Sequence, residues 1–382
     1  MIPLAIPNLS GREREYLNQC IDTGFVSSVG EFVNRIEKEA AEATRAVGAV
    51  ATSAGTTALQ TALLSLGVEP GDLVIVPSFT FIASANSVSH CHARPWFFDV
   101  DEESWTLDPS LVERALSEEC EKRPDGVFHK ETNQRIAAIM PVYTLGNVAD
   151  MDEFSRISSE YGIPVIADAA CALGATYKDR PLGSLAPLSA ISLNGNKTIT
   201  AGGGGLIVGD SEKLLGDCKH LSTTARVTPE YDFDKVGYNF RMTNLQAAVG
   251  CAQLERLDEF VAKKREVRAF YNEEFGGIEG ISAFPVPEYC ESACWFSGIV
   301  IEGATFEQLL KIIDEIRAQG VEARSFWKPV HQQVPYRNAL CYGNLANTER
   351  LWQQIITLPC STSITADELT CVSDVVKAVL KG

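Results

Sequence analysis

Apolar runs that alternate with helical stretches are the feature of this sequence that most restricts its fold. Five runs read as strands, at residues 49–53, 72–78, 94–101, 137–143 and 164–170. Stretches that read as helices lie between them, for example AGTTALQTALLSLG directly after the first run and FIASANSVSHC after the second. Apolar strands that are separated by helices predict a mostly parallel sheet with helices on both faces.

The remaining segments predict a large domain and a smaller one. Residues 10–45 read as two polar-faced helices around the loop DTGFVSSVGEF, and two strands are expected in LSAISLN and GGLIVGD. One long helix is expected at about 243–272. After FPVP the pattern becomes strand–helix–strand–helix. We therefore predict an α/β fold with a large domain at 1–280 and a small C-terminal α/β domain at 281–382.

Charge and cysteine content exclude several classes of function. The formal net charge of −17 argues against nucleic-acid binding, and no apolar run of 18 residues predicts a membrane helix. The N-terminus lacks the basic and apolar regions of a signal peptide. The eleven cysteines form no CxxC pair, and Cys290 and Cys294 have no second pair or histidine cluster. We therefore expect no metal site, reduced thiols and a cytoplasmic protein.

A strand-to-helix turn in SAGTTAL is the first candidate binding site. Gly55, Thr56 and Thr57 stand where the helix begins, so free N–H groups and the helix dipole favour a phosphate there. Helix capping by Thr56 explains the same residues equally well. The motif alone leaves both interpretations open.

Asp168 and Lys197 are the candidate catalytic residues. Asp168 ends an apolar strand, where a carboxylate needs a cationic partner, either from the protein or from a cofactor ring nitrogen. Lys197 stands between Asn-Gly-Asn and four glycines, Gly202 to Gly205; it is either a surface lysine or a confined amine nucleophile. The glycines precede a strand, so they do not form a dinucleotide-binding fingerprint. An amine, a carboxylate, a phosphate turn and the aromatic of SFTF together match pyridoxal 5′-phosphate (PLP).

Several longer segments extend this match over the whole chain. The sequence resembles the DegT/StrS family of sugar aminotransferases, which has the type I aminotransferase fold, from about residue 2 to residue 382. Within the family it is most similar to enzymes that aminate C4 of a nucleotide-linked 4-keto-6-deoxy-N-acetylhexosamine, through GEFVNRIE and SLNGNKTIT. The segments that carry the resemblance are DTGFVSSVGEFVNRIE, SAGTTALQTALL, VPSFTFIASANSV, PVYTLGNVADMDE, ADAACALGA, SLNGNKTITAGGGG, GYNFRMTNLQAAVGCAQLE and FWKPVH.

The resemblance implies roles for individual residues around the cofactor. Lys197 would be the Schiff-base lysine and proton carrier, and Asp168 would pair with the pyridinium nitrogen. Phe81 would stack on the cofactor ring. Cys171 would also contact the cofactor, and it replaces the Gln, Glu or His that the family usually has three residues after the aspartate. The phosphate would be held by Gly55, Thr56, Thr57 and Ser192.

Further residues are implied for the substrate and for a second subunit. Asn239 would reach the cofactor phosphate of a neighbouring subunit, which implies a homodimer with shared active sites. The loop Gly24, Phe25, Val26, Ser27 and Ser28 would line the sugar site. The nucleotide-sugar channel would be bordered by Trp327, Lys328 and His331.

The implied reaction moves an amino group from glutamate, which leaves as 2-oxoglutarate, to the nucleotide-linked keto sugar. A 3-aminotransferase or a PLP-dependent sugar dehydratase on the same fold is the alternative. A binding protein without activity would not need Lys197 and Asp168, and an NAD-dependent oxidoreductase would need the missing glycine fingerprint.

Overall fold

The computed structural model describes residues 1–381, which form helices and strands that alternate along most of the chain. The helices are α1 (Glu13–Thr23), α2 (Glu31–Thr44), α3 (Gly55–Ser65), α4 (Ala83–His90), α5 (Pro109–Glu118), α6 (Met151–Tyr161), α7 (Glu212–Ser222), α8 (Asn244–Leu254), α9 (Leu257–Phe275), α10 (Phe306–Ala318), α11 (Ala346–Leu351) and α12 (Ala366–Lys381). The longer strands are β1 (Gly48–Thr52), β2 (Leu73–Pro77), β3 (Arg94–Phe98), β4 (Cys120–Arg123), β5 (Gly126–His129), β6 (Ile136–Ile139), β7 (Ile166–Asp168), β10 (Leu188–Ser192), β11 (Gly205–Gly209), β14 (Ser297–Ile301) and β17 (Ile355–Leu358). Two-residue strands are β8 (Thr176–Tyr177), β9 (Arg180–Pro181), β12 (Ile281–Ser282), β13 (Cys290–Glu291), β15 (Arg324–Ser325) and β16 (Leu340–Cys341).

A mixed, mostly parallel sheet forms the centre of the molecule. One half has the strand order β1-β11-β10-β7 and the other β16-β3-β2-β6. Parallel bridges from Ile139 to Val165 and from Val142 to Asp168 join the two halves between β6 and β7. Only β11 runs antiparallel to its neighbours in these pairings. The predicted parallel sheet is therefore confirmed, and the carboxyl ends of its parallel strands lie along one edge.

A smaller antiparallel sheet forms the second layer of structure. Its strand order is β12-β14-β17-β15. Its core contains side chains from this sheet and from α9, α10 and α12, including Tyr271, Ile299, Ile313, Ile356 and Val372. The α/β class predicted for the C-terminal part is present.

Many contacts cross the predicted boundary at residue 280, and two of them exchange a segment between the two parts. Ile2 pairs with Val321, so the N-terminal segment packs on the small sheet. Leu340 pairs with Trp96, so β16 extends the large sheet. The division into 1–280 and 281–382 stays a prediction that ignores these two exchanges.

The helical stretch predicted for 243–272 is present, although the chain breaks it into two helices, α8 and α9. Arg256 lies between them with φ −115° and ψ 14°, outside the helical range. Both helices have buried faces, and the break lets α9 turn towards the small sheet while α8 stays against α1 and α2. No helix within residues 1–381 combines the length and apolarity that a membrane crossing requires.

Candidate active site

A cavity of about 520 Å³ lies at the edge where the parallel strands end. The residues that follow β1, β2, β6, β7 and β10 all contribute to its wall. Ligands bind in this position in open α/β sheets, because the loops after the strands converge there. The small sheet closes the opposite side with residues near β14 and β15.

Asp168 is buried at the bottom of the cavity, with only 4% of its surface exposed. Ser84 Oγ donates a hydrogen bond of 2.7 Å to Oδ2, and the Ala170 N–H donates one of 3.1 Å to Oδ1. Burial raises the pKa of Asp168, while Ser84, Ala170 and the charge of Lys197 act in the opposite direction. No side-chain cation bonds to this carboxylate within residues 1–381, so the protein leaves a cationic partner to be supplied by a ligand.

Lys197 reaches the same cavity from the loop after β10. Its Nζ lies 3.1 Å from Cys171 Sγ and 3.9 Å from the centre of the Trp295 ring. Cys171 is 6% exposed, and burial raises the pKa of its thiol against the opposing effect of Lys197. The surface-lysine interpretation is wrong, because the amine points between two buried side chains.

The glycines after Lys197 allow close approach of two chain segments. Gly204 has φ +134°, and a Cβ there would lie 2.8 Å from Met242 Cε. A Cβ on Gly205 would lie 2.5 Å from the carbonyl oxygen of Ala54, where α3 begins. Gly203 and Gly204 also line the cavity. The run therefore brings β11 against the α3 N-terminus without filling the site.

The N-terminus of α3 forms one end of the cavity. Gly55 and Thr56 line it, and the first N–H groups of a helix have no acceptor within the helix. Ser192 lies opposite: a Cβ on Gly55 would come within 2.8 Å of its Cβ. Thr57 is not a wall residue; its hydroxyl donates to the Ala54 carbonyl and accepts from the Ala54 N–H. Helix capping thus belongs to Thr57 and leaves Thr56 available.

An aromatic wall faces the rest of the cavity. Phe81 is 54% exposed and its ring centre lies 5.7 Å from that of Trp327. Trp327 in turn stacks on Phe326 and contacts Trp295. Phe81 and Trp327 therefore lie where a flat ligand would meet them.

Two of the residues predicted to border the nucleotide-sugar channel, Lys328 and His331, lie outside this cavity. Lys328 is exposed and is not part of the wall. The ring of His331 bonds to Ser78 Oγ at 2.6 Å through Nδ1 and to Glu349 Oε1 at 3.1 Å through Nε2. His331 thus links β2 to α11, and this chain alone does not bring it to the site.

The loop 24–28 and Asn239 also lie away from the cavity of their own chain. The amide of Asn244 donates to the Phe25 carbonyl, and its N–H donates to the Ser27 carbonyl, which holds the loop at the start of α8. Phe25 and Val26 keep exposed side chains. Asn239 is exposed on a segment that pairs with Thr223.

The residues present fit PLP. The helix N-terminus suits a phosphate, the buried carboxylate of Asp168 suits a ring nitrogen cation, and the Lys197 amine lines the same cavity. Within residues 1–381 no cluster of three or more His, Cys, Asp or Glu side chains is placed to hold a metal ion.

Sequence reasoning missed two residues that touch the catalytic groups. Ser84 lies in a segment that was interpreted only as a helix, although its position one turn after SFTF places it beside the end of β7. Trp295 comes from ACWF, almost a hundred residues after Lys197, and no local pattern links the two. Only the packing of the small sheet on the large one brings Trp295 to the amine.

Comparison with known proteins agrees with this geometry. Residues 7–378 match the DegT/DnrJ/EryC1/StrS aminotransferase family. A GDP-perosamine synthase of Caulobacter vibrioides is 36% identical over 384 residues, which cover 99% of this chain and 98% of the relative. A UDP-4-amino-4,6-dideoxy-N-acetyl-beta-L-altrosamine transaminase of Campylobacter jejuni is 28% identical over 355 residues, covering 92% and 90%.

A solved structure shows the same fold with its cofactor. The PLP form of Spr1654 from Streptococcus pneumoniae superposes with a TM-score of 0.89 at 25% identity, over 100% of this chain and 98% of that chain. The chain therefore belongs to the DegT/DnrJ/EryC1/StrS aminotransferase family and is a PLP-dependent sugar aminotransferase.

Proposed function

We propose that this enzyme transfers the amino group of glutamate to C4 of a UDP-linked 4-keto-6-deoxy-N-acetylhexosamine. The observation that carries the proposal is the convergence of the Lys197 amine and the buried Asp168 carboxylate in one cavity that opens to an aromatic wall. The segments GEFVNRIE and SLNGNKTIT support the sugar class, as does the relative named as an altrosamine transaminase.

Asp168 and Lys197 have different roles in the proposed reaction. Bound PLP supplies the carbonyl that holds an amino group and the ring that accepts electrons. Asp168 holds a proton on the ring nitrogen, since a buried carboxylate without a protein cation strongly favours a cationic partner. Lys197 would hold the cofactor and, once released, would carry a proton at its Nζ, which is confined beside Cys171 and Trp295.

The other residues orient the two substrates. The N–H groups of Gly55 and Thr56, with the hydroxyl of Ser192, hold the phosphate end. Phe81 and Trp327 present apolar faces that exclude water from the reacting groups. Asn239 and the loop 24–28 serve the active site of a partner subunit, since they are exposed in their own chain.

A GDP-linked sugar is the second candidate substrate. The GDP-perosamine synthase of Caulobacter vibrioides is 36% identical to this chain, and the altrosamine transaminase is 28% identical. Sequence identity thus favours GDP, and the segments named above favour UDP with an N-acetyl group. The residues that contact the nucleotide base would distinguish a UDP-linked from a GDP-linked substrate.

The substrate test offers the purified enzyme glutamate with a UDP-linked 4-keto-6-deoxy-N-acetylhexosamine, a GDP-linked 4-keto-6-deoxyhexose or a 3-keto sugar. We expect 2-oxoglutarate and a 4-amino product from the UDP sugar. Faster turnover of the GDP sugar would replace the proposed substrate with the second candidate. Turnover of the 3-keto sugar alone would reject amination at C4.

The lysine test uses borohydride, which fixes PLP to the lysine that holds it. We expect the label on Lys197, and Lys197→Ala to fold but to lose both label and turnover. Lys178→Ala is the matched control, because Lys178 is exposed and pairs with Asp152 at 2.7 Å. A label on any other lysine would show that Lys197 is wrongly assigned.

A further inference from the structure

Trp295 is held by three hydrogen bonds in addition to its packing in the core. Its N–H donates to the Leu145 carbonyl at 3.0 Å, and its own carbonyl accepts from Lys264 Nζ at 2.9 Å. The indole Nε1 donates to the Asn196 carbonyl at 2.7 Å. The preceding residue, Cys294, has φ +49°, which turns the chain so that the indole meets the loop of Lys197.

The indole face lies directly against the reactive amine. Lys197 Nζ is 3.9 Å from the ring centre, close enough for an N–H group of the amine to contact the negative face of the indole ring. Trp295 is 2% exposed, so solvent does not weaken this contact. The indole N–H bonds to Asn196, the residue before Lys197, so one side chain holds both the backbone and the amine of the catalytic loop.

We propose that Trp295 is the positioning residue for Lys197, holding its released amine beside the reacting atoms through the face of the indole ring. The proposal rests on the role of Lys197 in the proposed function. A free lysine side chain loses rotamer entropy when it is held in one position. The rigid face of the Trp295 ring and the Cys171 thiol both contact the Lys197 amine. These contacts confine the amine while it is released from the cofactor.

The arrangement also couples the two layers of the molecule. Trp295 stacks on Phe296 with ring centres 4.0 Å apart, and both precede β14 of the small sheet. Lys197 follows β10 of the large sheet. The catalytic amine is thus aligned only when the small sheet is packed on the large one.

The test compares three variants that separate the ring face from bulk and from the indole N–H. Trp295→Met keeps apolar volume without an aromatic face, and Trp295→Phe keeps a face without the N–H donor. Trp352→Leu is the matched control, because Trp352 is 8% exposed in the core of the small sheet, packs on Phe306 and has no partner for its Nε1. It measures the effect of losing a buried indole far from Lys197.

Two quantities are measured in each variant. One is kcat beside the KM values of both substrates; the other is the rate at which cofactor-stripped enzyme regains the absorbance of lysine-bound PLP. We expect Trp295→Met to lower kcat and the loading rate about tenfold, with both KM values within about threefold. Trp295→Phe should recover most of both rates, and Trp352→Leu should leave them unchanged.

Three results would overturn the positioning role. They are wild-type rates in Trp295→Met, equal losses in Trp295→Met and Trp295→Phe, or an equal loss in Trp352→Leu. If borohydride still labels Lys197 in the wild-type enzyme, the proposed function survives each of these results. Labelling elsewhere would instead remove the proposed function.

Fluorinated tryptophan keeps the test decisive if Trp295→Met does not fold. Fluorination weakens the negative ring face while it preserves the indole shape and N–H. We expect slower loading in fluorinated wild-type enzyme and a clearly smaller effect of fluorination in the Trp295→Phe background, which still carries the other four tryptophans, with Trp327 of the cavity wall among them. Equal effects in both backgrounds would assign the change to those four and reject the proposal.

Discussion

Asp168 is a residue whose proposed role in catalysis conflicts with the stability of the protein. Its carboxylate is buried and, among residues 1–381, bonds only to Ser84 Oγ and the Ala170 N–H, and burial raises its pKa. Because the folded state then binds its proton more tightly than the unfolded state, folding stability falls as pH rises from about 3.8 through the raised pKa. Above that window, the cofactor-free enzyme carries the full penalty of an unpaired buried charge.

Asp168→Asn should therefore raise stability and abolish activity. We expect the cofactor-free variant to unfold at a higher urea concentration than wild type at neutral pH, with the difference vanishing at acid pH. Turnover should fall by at least about 100-fold, because a neutral amide does not hold a proton on the ring nitrogen. A variant with equal stability and near-normal turnover would contradict both arguments.

Asp99 provides the matched control for that substitution. It is 7% exposed and accepts hydrogen bonds from the N–H groups of Val100, Asn347 and Thr348. Asp99→Asn would turn an amide N–H towards one of these donors, so it should lower stability. Opposite signs for Asp168→Asn and Asp99→Asn would separate a catalytic carboxylate from a structural one.

At the level of elements, the sequence pattern predicted the helices and strands whose ends are determined by nearby residues. The strands β1, β2, β3, β10 and β11 and the helices α1 to α4 lie within a few residues of their predicted positions, because apolar period and turn residues define them. The break at Arg256 was not predicted, since both flanking segments have good helical sequences. The placement of Trp295, Ser84 and Asn244 depends on packing between distant segments, which no single stretch of sequence contains.

Helix α9 carries a buried cation, Lys264, that donates its hydrogen bonds to backbone carbonyls. Lys264 is 2% exposed, and its Nζ donates to the carbonyls of Trp295 at 2.9 Å and Cys360 at 2.6 Å. These bonds join α9 to the segments before β14 and after β17. The Lys264 ammonium therefore links three backbone segments through its hydrogen bonds.

Lys264→Met should lower the free energy of unfolding by about 2 kcal/mol, because two buried carbonyls lose their donor. Lys263→Met is the control on the adjacent position; Lys263 pairs with Glu266 on the surface, so its loss should change stability by less than about 1 kcal/mol. Urea denaturation measures both. Equal effects would mean that the buried bonds add nothing beyond an ordinary surface pair.

At the level of the whole molecule, the segment that carries Asn239 stands out because it exposes both polar and large apolar side chains. Asn239 is exposed, although the Phe240 carbonyl beside it accepts a hydrogen bond from the Ser53 N–H, close to the start of α3. Large apolar side chains are exposed around it, at Val227, Tyr231, Phe233 and Val236. A second copy of the chain that covers this segment would bury them and bring Asn239 to the partner's cavity.

Mixing two inactive variants decides whether Asn239 serves its own chain or a partner. Lys197→Ala and Asn239→Ala chains would form mixed dimers in which one site carries both lesions and the other carries none. With random exchange half of the dimers are mixed, so about a quarter of wild-type activity should return if the dimer is symmetric. The activity is measured after exchange has been verified with tagged chains. If Asn239 instead contacts the phosphate of its own chain, every site keeps one lesion and the mixture stays as inactive as its parts.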